Sequence, residues 1–254
     1  KKNFTLLDDD TGEYSIEIDP REIKTETIPL LRNLGFNRMS IGVQDFEPQV
    51  QNAINRNQSY EQTNNVFNEA RKHRFHSINI DLIYGLPKQT PRTFSNTIDK
   101  IIEMNPDRIA IYNYAHLPHL FKTQRQIKDE ELPSPNQKLE ILGKSIQSLQ
   151  DAGYVYIGMD HFAKPDDELA IAQRKGNLYR NFQGISKLIC HFHVEFREIE
   201  DLFKIDFSDY FSKELILLAD MQKDELLMIN KDAIEVLPEG RFLIRNICSV
   251  FDIY

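Results

Sequence analysis

The sequence predicts an α/β fold: a partial (β/α) barrel over residues 1–184, followed by a small, mostly helical, winged-helix-like domain over residues 185–254. Three observations carry this. Short apolar, β-branched runs alternate with helical patterns throughout residues 14–161, and parallel strands need a crossover that is usually a helix. The apolar runs end in hydrogen-bonding groups, as barrel strands do where ligands bind. From Ile185 onward the pattern becomes helices, a two-stranded hairpin and a closing helix. On the alternation alone, an open doubly wound sheet fits as well as a barrel.

Tyr14-Ser15-Ile16-Glu17-Ile18-Asp19-Pro20 reads as a short strand with Glu17 inside it. Asp19-Pro20-x-Glu22 then offers a cap acceptor, a proline suited to a first turn and an acid near the positive end of a helix dipole. Arg38 to Gln44 alternates apolar with small or polar residues and ends at Gln44. Ser77 to Tyr84 is an apolar strand carrying Asp81 and broken by Gly85-Leu86-Pro87. An acid in such a run is costly unless it is paired or stands at a ligand-binding strand mouth.

Thr90-Pro91 opens a helix with Phe94, Ile98, Ile101 and Ile102 on one face, and Arg108 to Tyr114 is the next strand. Ser134-Pro135 opens a helix with Leu139, Leu142, Ile146 and Leu149 at helical spacing, and Tyr154 to His161 reads as a further strand. The tail predicts helices at 185–193, 199–203 and 207–221, a hairpin from 226–229 to 233–236, and a helix at 239–254. Winged-helix domains often bind DNA, but Lys and Arg are sparse here, so a lid or docking role is the expectation.

A chain of 254 residues holds one large core, or a core with an appendage. No run approaches the length of a spanning helix and the first residues lack a secretory segment, which predicts a cytoplasmic protein with no membrane association. The net charge of -8 argues against nucleic acid as a partner. Two cysteines, Cys190 and Cys248, are too few for a disulfide framework or a closed metal site. A monomer is expected.

Several long blocks then stand together: Ile16-Glu17-Ile18-Asp19-Pro20-Arg21, Gly35 to Phe46, Asn79-Ile80-Asp81-Leu82-Ile83-Tyr84-Gly85-Leu86-Pro87, Asn113 to Pro118, Gly158-Met159-Asp160-His161-Phe162-Ala163 and Gly240 to Cys248. In this order they closely resemble the oxygen-independent coproporphyrinogen III oxidases, a radical S-adenosylmethionine (SAM) family of haem biosynthesis. The resemblance implies a radical SAM barrel, a [4Fe-4S] cluster, two molecules of SAM, coproporphyrinogen III as substrate and an electron donor for the cluster. Reduction of SAM at the cluster gives a deoxyadenosyl radical. By the same resemblance, that radical takes hydrogen from a propionate, carbon dioxide leaves, one electron passes to an acceptor and a vinyl group forms, twice, yielding protoporphyrinogen IX.

Carried over by motif, the resemblance implies that Glu17 holds the sugar hydroxyls or amino group of one SAM. It implies that Gln44, Arg56 and Asp81 contact a second, with Ala115 a backbone or packing contact to that same ligand. Arg56 suits a carboxylate and Asp81 an ammonium or hydroxyls. The family's cysteine loop for the cluster is absent from this sequence, which predicts that residues are missing upstream and that this stretch alone is inactive. At Gly184-Ile185 two blocks adjoin that a longer segment separates in the family, so an internal piece is also expected to be missing. A haem-chaperone paralogue and a non-catalytic, ligand-binding barrel fragment are the alternatives.

Plainer readings compete at each residue. Glu17 could pair with Arg38 across neighbouring strands, Gln44 could serve backbone groups at a strand end, Arg56 could be a solvated loop cation and Asp81 a structural acid. His161 could donate a proton, or bond only to Asp160 or to backbone. Cys190-His191-Phe192-His193 suggests metal ligation, but on a helix those side chains diverge.

Overall fold

The computed structural model describes residue 7, residues 9–179 and residues 186–252. The chain divides into two compact units, Lys1–Tyr154 with His161–Lys164, and Val155–Asp160 with Pro165–Tyr254.

In the first unit, β1 (Ser15–Ile18), α1 (Thr27–Asn33), β2 (Arg38–Gln44), α2 (Pro48–Ala53), α3 (Tyr60–Lys72), β3 (Ser77–Tyr84), α4 (Pro91–Met104), β4 (Arg108–Asn113) and α5 (Pro135–Asp151) follow in order. Strands β1 to β4 lie side by side in chain order and are parallel. The chain then gives β5 (Val155–Gly158) to the second unit and adds β6 (His161–Ala163) to the first, antiparallel to β4.

Period-two alternation explains the two faces of this sheet. Met39, Ile41 and Val43 of β2, Ile78, Ile80 and Leu82 of β3, and Ile109 and Ile111 of β4 are almost wholly buried. The helices match them with Val66, Phe67 and Ala70 of α3, Phe94, Ile98 and Ile101 of α4, and Ile141, Ile146 and Leu149 of α5. Burying a side chain of this kind is worth about 1.5–3 kcal/mol, so this apolar layer fixes the strand register. The opposite face carries Glu17, Ser40, Gly42, Asn79, Asp81 and Ala110, the face on which polar chemistry can collect.

Helix starts obey the sequence. Ser59 with Gln62, Thr90 with Thr93 and Ser134 with Gln137 each form a reciprocal capping box. At the opposite edge of the strands, Asp107 accepts from Ile78 N at 2.8 Å and pairs with Arg71 at 2.5 Å, tying β3, α3 and the start of β4 together.

Some expectations need correction. Asp19 does not cap a helix: residues 20–22 form a turn, α1 starts at Thr27, and the Asp19 carboxylate is taken by arginines. The parallel sheet has one antiparallel member, because the predicted strand 154–161 breaks at Met159 and Asp160, both at positive φ (46° and 75°), into β5 and β6. On α5, Leu139 is half exposed and Ile141 takes the buried place.

The second unit continues with α6 (Glu168–Arg174), α7 (Ser186–His191), β7 (His193–Glu195), α8 (Phe196–Phe203), α9 (Phe207–Tyr210), α10 (Ser212–Lys223), β8 (Leu227–Ile229), β9 (Ala233–Val236), α11 (Pro238–Arg241) and α12 (Ile244–Ser249). Asp167 caps α6 through Leu169 N at 2.8 Å. The expected hairpin is a three-stranded antiparallel sheet in the order β7-β9-β8, since His193–Glu195 is strand and not helix. The stacked pair Phe196 and Phe207, with ring centroids 4.1 Å apart, anchors α8 against α9. The join at Gly184-Ile185 lies outside the described residues.

Candidate functional site

Register places the polar side chains of the first unit. Glu17 is the neighbour of Ser40, Ser40 of Asn79, Gly42 of Asp81, Asp81 of Ala110, and Ala110 of His161. Directly paired residues point to the same face of a sheet, so Glu17, Ser40, Asn79, Asp81 and His161 share one surface. Arg38 pairs with Glu13 at 3.5 Å, whereas the cross-strand neighbour of Glu17 is Ser40.

Asp81 is the centre of this surface. One carboxylate oxygen accepts from the Ser40 hydroxyl, and the other from Asn79 Nδ2 at 2.8 Å. Asn79 Nδ2 also donates to Ser40 Oγ at 2.8 Å. Burial pushes the Asp81 carboxyl above its ordinary range; the Ser40 and Asn79 donors pull it down, the nearby Glu17 charge raises it and His161 lowers it.

Next to Asp81 the sheet is floored by glycine. A Cβ on Gly42 would come within 3.0 Å of Gln44 Nε2 and 3.2 Å of an Arg56 terminal nitrogen, so the absence of a side chain lets both groups close over the strand. Gln44 gets there through a local irregularity: its φ is 67°, and the β2–β3 register skips at this point so that Gln44 neighbours Leu82. Arg56, from the loop between α2 and α3, donates to Gly42 O at 2.8 Å and to Asp19 Oδ2 at 2.9 Å. Its Nε is buried with no hydrogen-bond partner. Asp19 is also gripped by Arg21, at 2.7 Å, and this guanidinium holds its carboxyl well below the usual range, at about 2. Arg56 is therefore a fixed cation, not a solvated one.

Gln44, Arg56 and Asp81 thus meet around Gly42, with Glu17 on the same face of the sheet. Ala115 is exposed in the loop after β4, with its carbonyl accepting from Gln124 Nε2 at 3.0 Å. Sequence reasoning passed over Ser40 and Asn79, and read Asp19 as a helix cap where it is an anchor for arginines. The period-two spacing 38, 40, 42, 44 and 77, 79, 81 was the signal that could have placed Ser40 and Asn79 beside Asp81. The Asp160 carboxylate pairs with Arg245, and the His161 ring meets Tyr112 edge to face at 5.9 Å.

Residues 3–101 match the Radical SAM superfamily. The oxygen-independent coproporphyrinogen III oxidases of Pseudomonas aeruginosa and Escherichia coli K12 are each 42% identical to this chain over 315 positions, covering 100% of it and 68% of their own length. That of Synechocystis is 39% identical over 310 positions. The chain belongs to this family. The solved structure of the Escherichia coli enzyme, HemN, described as a radical SAM enzyme, superposes with a TM-score of 0.90 at 43% identity, over 97% of this chain and 71% of that one. The α/β radical SAM fold expected from sequence is the one observed. An alignment of 315 positions to a chain of 254 residues leaves 61 positions of the Pseudomonas relative without a counterpart inside it.

The family's cofactors are SAM and a [4Fe-4S] cluster, and the residues present fit them unequally. Asp81, Glu17, Gln44 and the buried, partly unpartnered Arg56 supply anions, an amide and a guanidinium on one surface, the donor set an amino-acid-bearing nucleoside asks for. A cluster needs several thiolates. Cys190 and Cys248 are both buried free thiols, and burial pushes the Cys248 thiol up to about 12. Among the described residues no three His, Cys, Asp or Glu side chains gather to hold a metal.

Proposed function

We propose that this chain supplies the second SAM site, and much of the barrel, of an enzyme that decarboxylates coproporphyrinogen III. The family's reaction is the anaerobic oxidative decarboxylation of coproporphyrinogen III to protoporphyrinogen IX by radical SAM chemistry in haem biosynthesis. The observation that carries the reading is the gathering of Gln44, Arg56 and Asp81 around Gly42, with Glu17 on the same face, in a chain with this degree of identity to the family.

In this reading Asp81 takes the ammonium or the sugar hydroxyls of the ligand and Arg56 its carboxylate. Asp19 and Gly42 O hold the guanidinium so that little side-chain freedom is lost on binding. Gln44 adds one donor and one acceptor, Glu17 serves the neighbouring SAM, and Ala115 contributes a loop contact. When bound at a reduced cluster, SAM supplies the group that abstracts hydrogen from the substrate propionate. The residues described here bind and orient; they do not ligate iron.

The reading further takes an electron donor for the cluster as a partner, no nucleic acid in view of the net charge of -8, and a monomer in the cytoplasm as its setting. Among the described residues no helix is long and apolar enough to cross a membrane. The buried state of both cysteines favours a second reading for this chain taken by itself, a ligand-binding barrel without redox chemistry. Anaerobic reconstitution with iron and sulfide should give this chain no cluster absorbance.

Calorimetric titration of the chain with SAM tests the site. Asp81→Ala should weaken binding by about 2–3 kcal/mol, the worth of a lost charge-assisted contact. Unchanged affinity would refute the assignment.

A further inference from the structure

We propose that Ser40 and Asn79 are positioning residues that hold the Asp81 carboxylate in one orientation and as an acceptor at both oxygens. The inference rests on the reading of Asp81 as a ligand contact and goes beyond it, to two residues on neighbouring strands that need not touch the ligand.

The hydrogen-bond directions carry it. Asn79 Nδ2 has two protons and gives one to Asp81 Oδ1 and one to Ser40 Oγ, both at 2.8 Å. Ser40 Oγ, accepting there, turns its own proton to the other Asp81 oxygen. In this ring of three bonds Asp81 accepts at both oxygens. A protonated Asp81 would have to turn the Ser40 hydroxyl away and use Ser40 Oγ as its acceptor, losing the Ser40 donor. Rotating the Asn79 amide would put its oxygen against the carboxylate, and in the observed arrangement Asn79 Oδ1 is left buried without a partner. An unsatisfied buried acceptor is costly, so the amide is held in this orientation by the carboxylate it serves.

The groups facing Asp81 show why it needs support. From β1 the Glu17 charge opposes its ionisation, from β6 His161 favours it, β4 offers the uncharged Ala110, and burial is the largest opposing influence. The donors from β2 and β3 counter burial and Glu17 together. They also leave Asp81 only its outward lone pairs, so the ligand group bound there is a donor such as a primary ammonium or paired hydroxyls.

The test is SAM affinity of the full chain by calorimetry, measured across the acid range, together with the Asp81 carboxyl titration followed by carbon NMR without ligand. Ser40→Ala and Asn79→Ala should each move the acid midpoint of binding, and the Asp81 titration, upward by about 0.5–1 pH unit, and the double variant should move both further. Ser40→Thr, which keeps the hydroxyl, should restore the wild-type midpoint. Affinity at the alkaline plateau should fall less than about tenfold for each single variant, against the larger loss in Asp81→Ala. Midpoints and titration unchanged in both variants, with Asp81→Ala still defective, would overturn this inference alone. Normal affinity in Asp81→Ala would overturn the ligand assignment beneath it as well. The NMR titration reads the positioning role even if a variant binds SAM too weakly to measure.

Discussion

Two carboxylates belong to adjacent strands, Asp81 within β3 and Asp45 directly after β2, and burial raises the proton affinity of both, yet they are built for opposite ends. Asp45, just after β2, is fully buried. Its Oδ1 accepts from Thr97 Oγ1 at 2.6 Å and Glu47 N at 2.9 Å, and its Oδ2 from Gln89 Nε2 at 2.5 Å. Asp81 is half-buried and accepts from Ser40 and Asn79. Asp45 is saturated and joins the loop after β2 to the loop after β3; Asp81 is braced on one side and open on the other. A raised proton affinity therefore does not by itself mark a functional acid. What separates the two is whether the surrounding donors use up the oxygens.

The largest expected effect breaks the saturated member. In Asp45→Asn, an amide nitrogen aimed at Gln89 meets Nε2, and one aimed at Thr97 meets the donors already there, since Thr97 Oγ1 also accepts from Phe46 N at 3.2 Å. Either orientation sets donor against donor in a buried place. The variant should lose about 3 kcal/mol of unfolding free energy, read as a lower midpoint in urea. An unchanged midpoint would show that the loop clamp contributes nothing.

A smaller effect comes from the other end of that clamp. Gly85 sits at φ 86° and its N–H gives Gln89 Oε1 a 2.6 Å bond. A Cβ there would lie 2.9 Å from Lys138 Cε, a flexible neighbour that can move, so the backbone conformation sets the cost. Gly85→Ala should destabilise by about 1–2 kcal/mol, measured in the same denaturation. If Gly85→Asn, which tolerates positive φ better, loses as much as alanine, backbone strain is not the cause.

Much of this contrast was legible in the sequence and part of it was not. Asp81 stood out because an acid in an apolar run followed by Gly-Leu-Pro has few reasons to exist, and the helix starts were readable because capping boxes are local. Asp45 was read only as part of a family block, since its partners, Gln89 and Thr97, are 44 and 52 residues away and nothing local announces them. The Asp19–Arg56 pair spans 37 residues and was hidden for the same reason; the proline after Asp19 pointed instead to a helix that does not form there. The antiparallel β6 was unreadable because two non-glycine residues at positive φ end β5 in the middle of an apolar run. Long-range pairing and local backbone exceptions were what the sequence concealed; period, caps and isolated charges were what it displayed.

The smallest effect should have the opposite sign, and for that reason separates the two acids most sharply. In Asp81→Asn the new amide oxygen accepts from Asn79 Nδ2, while its nitrogen donates to Ser40 Oγ, whose hydroxyl is free to rotate into the accepting role. The charge that burial and Glu17 disfavour is gone. With a folded-state proton affinity raised above the ordinary 3.8, Asp81 stabilises the fold fully only below that value, and its contribution is lost as pH rises through the folded-state midpoint. Asp81→Asn should therefore melt with wild type in strong acid and above it near neutrality, by about 0.5–1 kcal/mol, while binding SAM more weakly. A melting gap that favours the wild type at neutrality, with SAM binding unchanged, would show that the Asp81 charge is held for the fold and not for a ligand.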